Sequence, residues 1–130
     1  MKTILIIEDN EADQFLGEMT ISSVRPDLQI LKAMDGKEAL EILSEQDIEP
    51  DLILLDINMP RMNGHEFLNA FTDENSREIP VVVMLTSSDQ ERDKEQAMAY
   101  RCVKDYLLKP IKKENIDRLE ELVANMHKQS

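Results

Sequence analysis

The chain predicts a doubly wound α/β domain, a five-stranded parallel sheet with helices on both faces. Three observations carry that expectation. Short apolar runs rich in β-branched residues recur five times along the 130 residues. The segments between them carry apolar residues at helical spacing, and proline or Asp-Gly punctuation falls at the boundaries. Strands alternating with helices of this length pair in parallel through crossovers, and a parallel sheet needs cover on both faces.

The strands are read in order as "TILII" at 3–7, "LQILKAM" at 28–34, "LILL" at 52–55, "PVVVML" at 80–85 and "VKDYLL" at 103–108. Pro26 precedes the second strand, Pro50 the third, Pro80 opens the fourth and Pro110 follows the fifth, while Asp35-Gly36 marks a turn. After the fifth strand, Ile116, Leu119, Leu122, Val123 and Met126 fall three or four apart and make one apolar stripe. That helix runs almost to Ser130, so residues 1–130 are expected to form a single domain with no effector domain.

Composition removes several classes of function. With 15 basic and 27 acidic side chains the net charge is −12, which disfavours nucleic acid and anionic membrane as direct partners. A single cysteine, Cys102, excludes an internal disulfide framework, and no apolar run is long enough to span a membrane. The apolar run near the N-terminus is five residues long and stops at two acids with no small-residue cleavage site, so it is read as a first strand of a cytoplasmic protein. The glycines, Gly17, Gly36 and Gly64, are too far apart for a nucleotide-binding loop, and His65 and His127 lack metal-ligand spacing.

In open α/β sheets ligands bind beyond the carboxyl ends of the strands, near the point where strand order reverses. Strands one and three, the expected neighbours there, end in Glu8-Asp9-Asn10 and Asp56-Ile57-Asn58; strand four ends in Thr86-Ser87-Ser88 and strand five in Leu108-Lys109-Pro110. At an effective dielectric of about 20, two like charges about 4 Å apart cost roughly 4 kcal/mol, against a domain stability of about 5–15 kcal/mol. Something positive must offset Glu8, Asp9 and Asp56. Lys109 supplies one charge, and a hard divalent cation such as Mg2+ supplies the rest. A carboxylate beside a cation, a lysine and a hydroxyl can act as a nucleophile toward phosphorus. Each residue alone has a plainer explanation: Asp56, Asp9 or Asn10 as a helix cap, Lys109 as a loop lysine, Tyr106 as core packing.

Four fragments in order, "IIEDN", "LLDINMPRMNG", "MLTSS" and "DYLLKP", make the chain resemble the receiver domain of two-component response regulators over essentially its whole length. The resemblance implies a flavodoxin-like (βα)5 fold with strand order 2-1-3-4-5. It implies that Asp56 accepts a phosphoryl group from a sensor histidine kinase, with Mg2+ held by Glu8, Asp9, Asp56 and the backbone carbonyl of Asn58. Lys109 would pair with Asp56 or the phosphoryl group. Thr86, or Ser87 in its place, would bond the phosphoryl group as Tyr106 turns inward, reshaping the face of the fourth helix, fifth strand and fifth helix for an unknown downstream protein. The chain would then be a stand-alone response regulator, monomeric or weakly dimeric. Alternatives are a phosphorelay intermediate or a receiver-like adaptor that is never phosphorylated. An aspartyl-phosphate phosphatase would need a second acid at the position of Asn58, so turnover of outside substrates is not expected.

Overall fold

A computed structural model describes residues 2–45, 50–56, 81–86, 103–109 and 111–128. They form β1 (Thr3–Ile7), α1 (Glu11–Val24), β2 (Gln29–Ala33), α2 (Gly36–Glu45), β3 (Leu52–Leu55), β4 (Val81–Thr86), β5 (Val103–Leu108) and α3 (Lys113–Lys128). The last is the helix expected after the fifth strand. The stretches expected to hold the third and fourth helices, together with Asn58, His65, Ser87, Ser88, Cys102 and Pro110, lie outside the described residues.

All pairings are parallel and the strand order is β2-β1-β3-β4-β5, the doubly wound, flavodoxin-like arrangement. Side chains alternate across the sheet and fill two cores. Leu5, Ile7, Ile53, Leu55, Val82 and Met84 pack with Ala39 of α2. Ile4, Ile6, Leu52, Leu54, Val83 and Leu85 pack with Ile21 of α1 and with Ile116, Leu119 and Val123 of α3. The central strands are therefore apolar on both faces, and each fully buried Ile or Leu contributes about 1.5–3 kcal/mol. The edge strand β2 differs: Gln29 and Lys32 are exposed, and Lys32 Nζ pairs with Glu18 of α1 at 3.1 Å.

Among the described strands, strict alternation fails in β5. The register slips between Val82 and Val83, so that Val82 faces Val103 but Val83 faces Asp105. One extra residue, Lys104, is taken up there, and Val103 and Tyr106 share a face although they stand three apart.

Local chemistry sets the helix starts. Asn10 has extended backbone and its Oδ1 accepts from the Asp13 N–H at 3.0 Å, capping α1. Asp35 Oδ1 accepts from the Glu38 N–H at 2.9 Å before α2. The Asn115 side chain reaches back to the Lys112 N–H at 2.9 Å to open α3. Arg25, just past α1, pairs with Asp27 at 2.9 Å and with Glu120 of α3, tying two helices of one face together.

Candidate functional site

The site is built where β1, β3 and β5 stop. The Glu8 N–H donates to Ala33 O at 3.0 Å and the Asp56 N–H to Ile7 O at 3.0 Å, so both residues continue the sheet ladder one step past their strands. Alternation then decides where they point. Glu8 follows Ile4 and Ile6, Asp56 follows Leu52 and Leu54, and Lys109 follows Leu107, all on the face that packs against α1 and α3. Three charged side chains thus arrive on the same side of the sheet.

Glu8 and Asp56 are buried, at 2% and 6% exposure, and Asp9 is half-buried. One carboxylate oxygen from each of Glu8, Asp9 and Asp56 lies within 4.8 Å of the others. The Lys109 ammonium sits 2.5 Å from Glu8 Oε2, 3.1 Å from Asp56 Oδ2 and 3.2 Å from Asp13 Oδ2. Glu8 Oε1 accepts from the Asn10 N–H at 3.1 Å, the same residue whose side chain caps α1. A cleft lined by Ile6, Leu16, Leu54, Leu85 and Ile111 opens beside Glu8, Asp13 and Lys109, so the charges meet an apolar wall.

The electrostatics follow from burial. Desolvation pushes the Glu8 carboxyl from its ordinary 4.5 up to about 7; the Lys109 ammonium opposes the shift and the Asp56 charge adds to it. Burial works against the charge on Lys109, yet the bond to Glu8 and the charge on Asp56 outweigh it and raise its pKa. Among the described residues, the single charge of Lys109 is thus shared by three carboxylates, those of Glu8, Asp13 and Asp56.

An all-oxygen donor set of this kind fits a hard divalent cation. Glu8 Oε2 supports the fit: it is buried, and the Lys109 ammonium that pairs with it is shared with Asp56 and Asp13.

Of the residues expected at the site, Glu8, Asp9, Asp56 and Lys109 are brought together. Thr86 closes β4 opposite Leu108; since Leu55 pairs with Met84, it stands one residue beyond the level of Asp56. Tyr106 pairs with Met84 in the ladder and packs, partly buried, on the opposite face from the acids. Asn58 and Ser87 lie outside the described residues. Two residues were not anticipated. Asp13 reaches Lys109, and buried Gln14 donates through Nε2 to Ala33 O at 3.1 Å and Glu8 O at 3.4 Å, holding α1 against the ends of β1 and β2.

Comparison with known proteins agrees with this arrangement. The family model "Response regulator receiver domain" matches residues 4–120. Protein PilH of Pseudomonas aeruginosa is 32% identical over 117 residues, covering 89% of this chain and 92% of PilH. The phosphorylated cyanobacterial phytochrome response regulator RcpA superposes with a TM-score of 0.75 at 28% identity, covering 96% of this chain and 90% of RcpA. The Mn2+-bound form of response regulator Rcp1 gives 0.74 at 29%, covering 92% and 88%. Several other curated relatives are longer, the chain spanning 34% to 65% of their lengths. With the matched region taking in β1, β3, β4, β5 and the acidic cluster at their ends, the chain belongs to the response regulator receiver domain family.

Proposed function

We propose that this receiver accepts a phosphoryl group on Asp56 and passes the signal on by protein contact. The observation that carries the reading is the buried Asp56 carboxylate, 3.1 Å from Lys109 Nζ and within 4.8 Å of the Glu8 and Asp9 oxygens. RcpA, a receiver of the same fold, has been solved in a phosphorylated state.

A carboxylate oxygen of Asp56 attacks the phosphorus of a phosphohistidine on a sensor kinase. The new O–P bond forms as the P–N bond breaks, and the imidazole leaves with the electron pair and takes a proton from water. Lys109, already beside Asp56, neutralises charge on the transferred group, which is the main need of a loose phosphoryl-transfer transition state. Glu8, Asp9 and Asp56, with the backbone carbonyl of Asn58, would hold Mg2+. Bound there, Mg2+ supplies further neutralisation of the phosphoryl oxygens; Rcp1 has been solved with Mn2+.

Thr86, or Ser87, would engage the phosphoryl group, and Tyr106 would change its packing against Met84. The new dianion would then shift the balance between two conformations of the face that includes β5 and α3. The apolar wall beside Lys109, which includes Leu16 of α1, and the exposed Phe15 and Met19 of the same helix offer an apolar surface to a kinase partner. A cytoplasmic setting and a monomer or weak dimer complete the reading. Among the described residues no helix is long and apolar enough to cross a membrane.

The test is intact mass after incubation with Mg2+ and acetyl phosphate. The expected result is a gain of one phosphoryl group that needs both Mg2+ and Asp56 and vanishes in Asp56→Asn. No gain, together with no response to beryllofluoride in the folded protein, would overturn the proposal in favour of an adaptor.

A further inference from the structure

We propose that Asp13 is a positioning residue that holds the Lys109 ammonium at the mouth of the site while Glu8 and Asp56 are engaged elsewhere. The inference rests on the phosphoryl-accepting reading above.

An ammonium has three N–H donors, and three carboxylates surround this one: Glu8 at 2.5 Å, Asp56 at 3.1 Å and Asp13 at 3.2 Å. Two of the three belong to the Glu8, Asp9 and Asp56 oxygen set that a divalent cation would draw inward. Asp13 does not. It is also the most solvent-facing partner, its side chain 43% exposed against 3% for Glu8 and 7% for Asp56. When the deeper oxygens turn to a cation, or Asp56 carries phosphorus, Asp13 is the carboxylate still free of both roles. It then keeps a long, flexible side chain from swinging into water.

The backbone beneath Asp13 is fixed for that task. Its N–H is tied to Asn10 Oδ1 at 3.0 Å, and the next residue, Gln14, is buried with Nε2 bonded to the ends of β1 and β2. The first turn of α1 cannot drift from Lys109, 96 residues away in sequence. A plainer explanation is that an acid in a first helical turn complements the helix dipole, and helix capping would not need it here because Asn10 already caps. The two explanations differ in whether the effect of Asp13 passes through Lys109.

The experiment compares wild type, Asp13→Asn, Asp13→Glu, Lys109→Ala and the Asp13→Asn/Lys109→Ala pair. In metal-free protein with 15N-labelled lysine, Asp13→Asn is expected to shift or broaden the Lys109 ammonium signal and leave Lys32 unchanged. With Mg2+ and acetyl phosphate it is expected to slow phosphorylation by about two- to fivefold, the reach of a partly exposed ion pair, with Asp13→Glu recovering part of the loss. In the Lys109→Ala background the same substitution should change nothing further. An unmoved ammonium signal, or an equal loss of rate without Lys109, overturns the inference and leaves a dipole or through-space effect. If wild type takes no phosphoryl group, the parent reading falls by itself, and the ammonium signal alone decides whether Asp13 holds Lys109.

Discussion

Gln14 carries no charge, yet the backbone of Glu8 leans on it: its amide donates to Glu8 O and to Ala33 O, the carbonyl that also receives the Glu8 N–H. Replacing it with leucine keeps the volume and removes the donor from two carbonyls at a buried position. A buried polar group that loses its partner costs about 1–3 kcal/mol, so Gln14→Leu should lower the unfolding free energy by that amount, seen as a lower urea midpoint with an unchanged slope. A variant as stable as wild type would mean that water replaces the amide. No pattern in the sequence marks this residue, because a glutamine within an early helix is ordinarily solvated. Glu8, Asp56 and Lys109 are legible for the opposite reason: each directly ends an apolar run, and the end of a parallel strand is where a charge needs an explanation. Asp13 was not legible, since its partner lies on another element and nothing in the sequence gives their separation.

At the scale of elements, β1 and β3 begin and end where their apolar runs do, because a strand buried on both faces must be apolar nearly throughout; β5, at the sheet edge with Lys104 and Leu108 exposed, also spans the expected 103–108. The second and fourth runs, read as 28–34 and 80–85, form ladders at Gln29–Ala33 and Val81–Thr86. Leu28 is buried without joining the ladder, so burial and pairing part company at that strand end. The slip at Lys104 was equally hidden, since one inserted residue changes facing without changing composition. In α1, Gly17 lies mid-helix, and a Cβ built there would meet Ile111 Cγ2 at 4.0 Å, an ordinary contact. Alanine restricts the unfolded chain and favours the helix by about 1 kcal/mol, so Gly17→Ala should raise stability by that amount in a chemical melt. Phosphorylation by acetyl phosphate should be unchanged. A loss of stability would show that α1 packs against the loop at Ile111 more tightly than this distance allows.

The whole molecule carries a net charge of −12, and the acidic pocket concentrates that repulsion where water cannot relieve it. Its signature is a pH dependence of the metal-free protein. Glu8 ionises near its ordinary 4.5 when unfolded and near about 7 when folded, chiefly because burial penalises the charge. Between those values the native state binds more protons than the unfolded chain, so stability falls as pH rises through the window. The contribution of Glu8 is present in full below about 4.5 and gone above about 7, at most about 3 kcal/mol. Asp27, held down to about 2 by Arg25, acts in the other direction and well below this window. Urea melts of metal-free wild type from pH 5 to 8 should therefore lose ground relative to Glu8→Gln, which cannot ionise, until the variant is the more stable at pH 8. Adding Mg2+ should offset most of that loss in wild type: binding favours the ionised carboxylate, so the gain grows with pH, reaching about 2.7 kcal/mol at a hundredfold excess over Kd. Parallel pH curves for the two proteins, with or without Mg2+, would mean that Glu8 is already fully neutralised by Lys109. The pocket would then have no electrostatic need of a cation, and the phosphoryl-accepting reading would have to stand on Asp56 and Lys109 alone.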